Sequence, residues 1–122
     1  EDAEWDILAS IDPTCLRRFR QIVVEFHWFH LAADDERCQL MLRAMTALTT
    51  FHTVIHVHAN NFAAWGVVGE IAAPTVLEVT FCRTEGKAFS PADHTFPTPL
   101  DRANWSEMPD YYLGRFRYSD SR

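Results

Sequence analysis

Three consecutive β-branched residues, Ile22-Val23-Val24, constrain the fold of this chain more than any other stretch. Such a run predicts a strand that is buried on both faces, as in a parallel sheet covered by helices. The run leads into Glu25-Phe26-His27, so a carboxylate and an imidazole share one side of the strand at its exit. Because ligands of open α/β sheets bind beyond the carboxyl ends of the strands, Glu25 and His27 are candidate site residues.

The strand predicted at residues 53–58 ends in the same way. His56 and His58 lie two residues apart, so both imidazoles face one side of it, and Asn60 and Asn61 follow directly. Because both predicted strands end in polar residues, we expect their ends to lie at the same edge of the sheet. Asparagine amides donate and accept hydrogen bonds, which suits a sugar or another polyhydroxyl substrate. A turn that uses the tolerance of Asn for left-handed backbone is the equal alternative.

Helical periodicity predicts three helices around these strands. Two short helices cover residues 5–11 and 13–20, and the longest runs from a capping Asp34 or Asp35 to about Thr50. Short helix, strand, long helix and strand in this order are typical of an α/β domain.

The second half of the chain is less regular. Residues 75–81 predict a third strand, which follows an irregular connection with turn points at Gly66 and Gly69. From residue 84 onward prolines break every regular period, so we expect an α/β body over 1–83 and an irregular, aromatic-rich tail over 84–122 that packs on it. Three strands rarely suffice alone, so the sheet is expected to continue in preceding sequence, in a partner chain or in a second copy of this chain.

Charge and cysteine content narrow the classes of partner. Seventeen acidic residues against 11 basic ones give a formal net charge of −6, which disfavours nucleic acid and anionic membrane surfaces. No signal peptide is recognised, and no apolar run approaches the roughly 18 residues that span a bilayer. Three cysteines without a paired spacing indicate neither a disulfide framework nor a zinc ribbon, so a reducing, cytoplasmic location is expected.

Several segments resemble one family, the FkbM-like branch of the S-adenosylmethionine-dependent methyltransferases. Residues 1–8, Glu-Asp-Ala-Glu-Trp-Asp-Ile-Leu, resemble the second half of an Asp-Val-Glu-Gly-x-Glu-Trp-x-x-Leu segment that follows the fourth strand there. Glu25-Phe26-His27 resembles the Glu-x-His that ends the fifth strand. Residues 56–61, 74–80 and 96–101 are similar to the C-terminal part of a subgroup. Asp2 departs from the pattern, which has Gly at that position.

The resemblance implies the distal, substrate-side half of a Rossmann-like class I methyltransferase fold. Its three strands would be the fifth, the sixth and an antiparallel seventh, with helices and an irregular C-terminal tail. It implies methyl transfer from S-adenosylmethionine to a hydroxyl of a small or carbohydrate acceptor. The Gly-rich loop that holds the cofactor has no counterpart here, so the isolated chain is expected to be inactive and to bind the cofactor poorly or not at all. Only Glu1 and Glu4 are implied near the cofactor; as plain sequence they are helix N-terminal acids.

The implied reaction assigns a role to each polar residue at the ends of these strands. The acceptor hydroxyl must lose its proton as the methyl group leaves sulfur, and a neutral imidazole accepts protons near pH 7. His27 or His58 is therefore the predicted general base, with Glu25 as the carboxylate that fixes its tautomer. His56, Asn60 and Asn61 are predicted to bind the acceptor.

Three alternatives stay open at this stage. A hydrogen-bonded structural role in the sheet rim is the alternative for His27 and His58. His56 and His58 can face one ion, with Glu25 or His27 completing a zinc, nickel or iron site, but this spacing is common by chance and no metal is assigned. The chain is also compatible with a non-catalytic interaction module that pairs through its open sheet edge.

Overall fold

A three-stranded sheet with helices on one face organises the structure. The computed structural model describes residues 2–115. In chain order its elements are α1 (Glu4–Ser10), α2 (Pro13–Leu16), β1 (Gln21–Phe26), a 3-10 helix (Phe29–Ala33), α3 (Asp35–Thr49), β2 (His52–Ala59), β3 (Trp65–Val68), β4 (Ile71–Pro74) and β5 (Leu77–Arg83). No helix between residues 2 and 115 has the length and apolar character needed to cross a membrane.

The strand order of this sheet is β1-β5-β2, and β5 is antiparallel to both neighbours. β1 and β2 therefore run in the same direction, and their carboxyl ends lie at the same edge of the sheet. The α/β class is confirmed. The antiparallel pairing is not that of a doubly wound parallel sheet, so the Rossmann-like methyltransferase fold stays a prediction.

The core lies between the sheet and the helices. Alternate strand residues such as Phe26, Val57 and Phe81 point into it and meet apolar side chains of α1 and α3. Full burial of a side chain of this size contributes about 1.5–3 kcal/mol. The buried core side chains are Trp5, Leu8, Leu16, Phe26, Met41, Ala44, Ala47, Leu48, Val57, Ala59, Leu77, Val79, Phe81 and Phe96.

The expectation that β1 is buried on both faces is wrong. Its side chains alternate between the core and the opposite face, and Val23 is 71% exposed. β1 is an edge strand of an antiparallel sheet, whose second face does not require a layer of helices. A run of β-branched residues thus marked a strand correctly but not its burial.

The helices agree with their sequence signals at their N-termini. Asp34 caps α3, its carboxylate accepting a hydrogen bond from the Arg37 backbone N–H at 3.0 Å. Asp12 caps α2 through the Thr14 N–H at 2.9 Å. α2 ends at Leu16, earlier than the predicted residue 20, and Phe19 is 55% exposed.

The connection predicted to be irregular contains a second, two-stranded sheet. β3 and β4 form an antiparallel hairpin, with Gly69 at the turn in the left-handed region (φ 61°). The hairpin packs on the 3-10 helix rather than on the main sheet.

The chain beyond β5 is irregular in its described part. Phe96 is buried, and Tyr111 fixes this segment to the body because its hydroxyl donates a hydrogen bond to the Ala63 carbonyl at 2.8 Å. Leu100 and Tyr112 point into solvent instead. The division at residues 83 and 84 stays a prediction, and residues 116–122 of the predicted tail lie outside the described residues.

Candidate functional site

The exits of β1 and β2 meet, as their polar ends predicted. The Asn60 amide donates a hydrogen bond to Glu25 Oε1 at 2.8 Å and so links the two strand ends directly. The register pairs Glu25 with Glu78 of β5, and Glu78 with His58 of β2. These three side chains therefore form a row across the sheet on the face opposite the helices.

His27 is held by α1 through both its backbone and its ring. Glu4 Oε1 accepts hydrogen bonds from the His27 backbone N–H at 2.7 Å and from Nδ1 at 3.0 Å. The Trp5 indole N–H donates to the His27 carbonyl oxygen at 2.7 Å. Both contacts come from one helix, so the imidazole is fixed in position relative to the sheet edge.

The Glu4 carboxylate determines the tautomer of His27. When Nδ1 carries the proton and donates to Glu4, Nε2 is left with its lone pair. Burial alone would raise the pKa of Glu4, but hydrogen bonds from its own backbone N–H and from His27 bring that pKa below its ordinary value. Glu4 is thus ionised over the pH range in which an imidazole accepts protons. The sequence predicted Glu25 for this contact, and the structure places Glu4 there.

Glu25 lies on the other side of the ring. Its Oε2 is 3.7 Å from His27 Nε2, which is too far for a hydrogen bond but close enough for a charged pair once the ring is protonated. The Glu25 side chain is 40% exposed and that of His27 is 14% exposed. Glu4, His27, Glu25 and Asn60 therefore form one continuous polar chain from α1 to the end of β2.

A cleft of about 600 Å³ opens beside this polar chain. Its polar lining includes Glu25, His27, His30 and Asn60. No lysine or arginine of the described chain lines it. The cleft therefore offers hydrogen-bond donors and acceptors with a carboxylate, which suits a neutral, hydroxylated molecule better than an anion.

Aromatic side chains form the rest of the cleft wall. Trp28, Phe62 and Trp65 line it and are 39%, 77% and 46% exposed, respectively. Large aromatic side chains are usually core residues, and Trp5 is one, at 1% exposure. Trp28, Phe62 and Trp65 are instead partly accessible to a ligand in the cleft.

The β3–β4 hairpin forms one side of the cleft, and its close packing there requires Gly66. A Cβ built there would lie 2.5 Å from the Cβ of His30 and 3.1 Å from Thr75 Cγ2, so no larger residue fits without movement of the backbone. We expect Gly66→Ala to lower the free energy of unfolding by about 1–3 kcal/mol, as overpacking does. Urea denaturation measures this change. Gly66 does not have a positive φ, so the loss reflects the contact and not backbone strain, and an unchanged free energy of unfolding in Gly66→Ala would contradict the contact.

His58 lies apart from the cleft and is fixed by the tail. Its Nε2 contacts Asp110 at 2.9 Å and its Nδ1 contacts Glu78 at 3.4 Å, with 5% of the residue exposed. Neither ring nitrogen is open to a substrate. The geometry therefore gives His58 the structural role that the sequence left as the alternative, and His27 remains as the candidate base.

Two of the three predicted acceptor-binding residues also hold the tail. His56 Nε2 contacts Asp101 at 2.8 Å, and its ring meets Phe96 edge-on at 5.3 Å. Asn61 is 4% exposed and bonds to the 105–109 turn. Only Asn60 lines the cleft. Glu1 lies outside the described residues.

Asn61 is expected to be the main anchor of the tail. Its Nδ2 lies 3.0–3.2 Å from the carbonyl oxygens of Trp105, Met108 and Pro109, and its Oδ1 accepts from the Trp105 N–H at 2.8 Å. Asn61→Ala leaves these buried groups without partners and should lower the free energy of unfolding by about 1–3 kcal/mol. Chemical denaturation and limited proteolysis of the tail measure the effect. Asn104→Ala removes one exposed bond to Glu78 and is the control; an equal effect of both would contradict the anchor.

His58 should make stability depend on pH. Burial alone would lower the pKa of His58, but the hydrogen bonds and charges of Asp110 and Glu78 raise it above the ordinary value. The protonated ring therefore stabilises the fold fully below about pH 6.5, and this contribution is lost as the pH rises through the higher folded-state pKa. Urea unfolding measured from about pH 6.5 upward should show a free energy of unfolding that falls as the pH rises, and His58→Gln should remove this decrease. The exposed control His94→Gln should keep it; an unchanged slope in His58→Gln would contradict the assignment.

The metal alternative finds no support in the described part of the chain. Within residues 2–115, no group of three or more His, Cys, Asp or Glu side chains is arranged to hold a metal ion. His56 and His58 each face a carboxylate of the tail instead of a common point.

Sequence reasoning missed two partners of the histidines. Glu4 and His27 are 23 residues apart, and Asp110 and His58 are 52 residues apart. No local spacing connects residues at such distances. The one available signal was that Glu4 and His27 both belong to segments that resemble the same family.

Comparison of the chain with protein-family models, with curated proteins and with solved structures gives no match. What is shown is a mixed α/β fold with a polar and aromatic cleft at the shared edge of β1 and β2.

Proposed function

We propose that this chain is the acceptor-binding half of an FkbM-like, S-adenosylmethionine-dependent O-methyltransferase, with His27 as the general base. One observation carries the proposal. Glu4 and His27 come from two separate segments that resemble the family, and in the structure they form a hydrogen-bonded pair beside the cleft. A carboxylate that fixes an imidazole at the edge of a cleft is the arrangement that general base catalysis needs.

The backbone at Asp2 supports the same proposal. The family pattern has Gly where this chain has Asp2, and Asp2 has φ 74°, in the left-handed region that glycine adopts without steric cost. Asp is one of the few other residues that tolerate this region. The turn that the family makes with Gly is thus compatible with Asp here.

Two further segments of the resemblance also take part in the site. Asn60, from the segment 56–61, bonds to Glu25, and Asp101, from the segment 96–101, contacts His56. The last strand, β5, is antiparallel to both neighbours, as the resemblance implies for a seventh strand. The short similarities are therefore neighbours in space and not scattered over the molecule.

The described residues fit the acceptor side of the reaction. S-adenosylmethionine supplies a methyl group from its sulfonium, and in this proposal it is held mainly by sequence other than these 122 residues, in the cytoplasm. His27 Nε2 accepts the proton of the acceptor hydroxyl, and Glu4 stabilises the imidazolium that forms. Glu25 and Asn60 orient the acceptor through its hydroxyl groups.

The proposal is tested by two measurements. The protein that contains this chain should transfer label from methyl-labelled S-adenosylmethionine to a hydroxyl of a small or carbohydrate acceptor. Calorimetric titration of the 122 residues alone should show little or no binding of the same donor. Transfer to no hydroxyl acceptor would contradict the activity, and tight donor binding by the isolated chain would contradict the placement of the donor site.

A second candidate function has one observation in its favour. Among residues 2–115, β1 pairs with β5 on one side, and its other hydrogen-bonding edge is open. Val23 of this strand is 71% exposed. An open edge of this kind pairs readily with a further strand, from preceding sequence, a partner chain or a second copy. Size-exclusion chromatography with light scattering tests self-pairing: a concentration-dependent dimer favours an interaction module, and a stable monomer argues against it.

A further inference from the structure

Trp28 has a backbone conformation that bulky residues avoid. Its φ of 62° and ψ of 40° lie in the left-handed region, which costs about 1–2 kcal/mol for a residue with a side chain. Trp28 is 39% exposed, so part of its surface remains open to solvent in the cleft. Residues held in strained backbone conformations cluster at ligand sites.

The residues on both sides of Trp28 are fixed. His27 is tied to Glu4 through its backbone N–H, and the Phe29 N–H donates to the Thr75 carbonyl at 3.1 Å. The Trp28 carbonyl accepts from the Leu31 N–H at 2.9 Å, which begins the 3-10 helix. The indole therefore stands in the cleft on a backbone that is anchored before and after it.

The ring of Trp28 lies near two imidazoles. Its centroid is 6.2 Å from that of His27 and 6.0 Å from that of His30, the latter edge-on. A partly exposed indole thus lies near the candidate base, while Glu25 and Asn60 supply hydrogen bonds in the same cleft. A sugar ring has a matching arrangement, with C–H groups on its face and hydroxyls on its rim.

We propose that Trp28 is the stacking platform for a neutral pyranose ring in this cleft, with Glu25 and Asn60 bound to adjacent hydroxyls of the sugar. The carboxylate of Glu25 and the lack of lysine or arginine in the described lining disfavour anionic sugars. The identification of this sugar as the methyl acceptor rests on the proposed function. The binding itself does not require it.

Saturation-transfer difference NMR and heteronuclear titration with methyl pyranosides test this subsite on the 122-residue chain. Neutral methyl glucoside, mannoside or galactoside should bind, and methyl glucuronide should bind at least about tenfold more weakly. Trp28→Ala should weaken binding of the neutral sugar at least about tenfold, whereas Trp28→Phe retains a ring and should weaken it only a few-fold. Tyr112→Ala, which removes an exposed ring outside the cleft lining, should leave binding unchanged.

The outcomes separate this inference from the proposed function. Equal sugar binding by wild type and Trp28→Ala, or glucuronide binding as tight as that of the neutral sugars, would overturn the subsite. Thermal unfolding of Trp28→Gly decides whether a loss of binding reflects misfolding, because glycine suits the positive φ and this variant should remain folded. A folded Trp28→Gly that binds like wild type also overturns the subsite. Sugar binding that depends on Trp28, in a protein that methylates no hydroxyl, would support the subsite while contradicting the methyltransferase.

Discussion

If the chain belongs to the proposed methyltransferase, His27→Gln is expected to lower kcat for methyl transfer by about 10²–10⁴-fold. Glutamine retains a polar side chain of similar reach but cannot accept the acceptor proton. KM for the acceptor should change little, since Glu25 and Asn60 remain in the cleft. Steady-state kinetics with labelled methyl donor measure both constants.

Two variants define the cause of that loss. His94→Gln changes an exposed histidine outside the cleft and should leave kcat unchanged. Glu4→Gln keeps an oxygen for the His27 N–H but removes the charge that stabilises the imidazolium, so its kcat should lie between those of wild type and His27→Gln. Full activity of His27→Gln would exclude His27 as the base, whatever the effect of Glu4→Gln.

Local signals in the sequence correctly predicted the elements that depend only on residues close together along the chain. α3 begins at the aspartate cap and ends within a residue of the prediction, because a cap and an apolar stripe are properties of one helix. β1 was also located correctly. Its burial was not, because the number of faces covered depends on strand pairing and on helices elsewhere in the chain.

The β3–β4 hairpin shows a second kind of failure. Gly66 and Gly69 were interpreted as turn points of an irregular connection, and Gly69 does make the turn of the hairpin, but Gly66 lies within β3 and permits close contact with His30. A glycine can end a strand or allow another element to approach it. The sequence alone does not distinguish these two uses.

The candidate site was predicted in outline from strand direction. Glu25, His27 and Asn60 come together because β1 and β2 run in parallel and end at one edge, which the polar exits indicated. The separation of His27 from His58 was not predictable, since it depends on where Asp110 of the irregular tail packs. Without that contact the two imidazoles are equivalent candidates.

Trp5→Ala is expected to lower the free energy of unfolding by about 3–5 kcal/mol, the usual cost of removing a buried aromatic side chain. Trp5 is 1% exposed, stacks on Phe26 at 4.4 Å and meets Phe29 edge-on at 5.2 Å. Guanidinium denaturation measures the change. Ile7→Ala, on the exposed side of the same helix, should cost less than about 1 kcal/mol, and an equal loss in both variants would contradict the packing of α1.

Trp5→Phe separates the packing of Trp5 from its contact with the site. Phenylalanine retains a ring against Phe26 but has no N–H for the His27 carbonyl, so the stability loss should be only about 1–2 kcal/mol. If Trp5 also positions the base, this folded variant should lose kcat with little change in KM. A variant that loses stability but keeps the kcat of wild type would limit Trp5 to the core and leave Glu4 alone to orient His27.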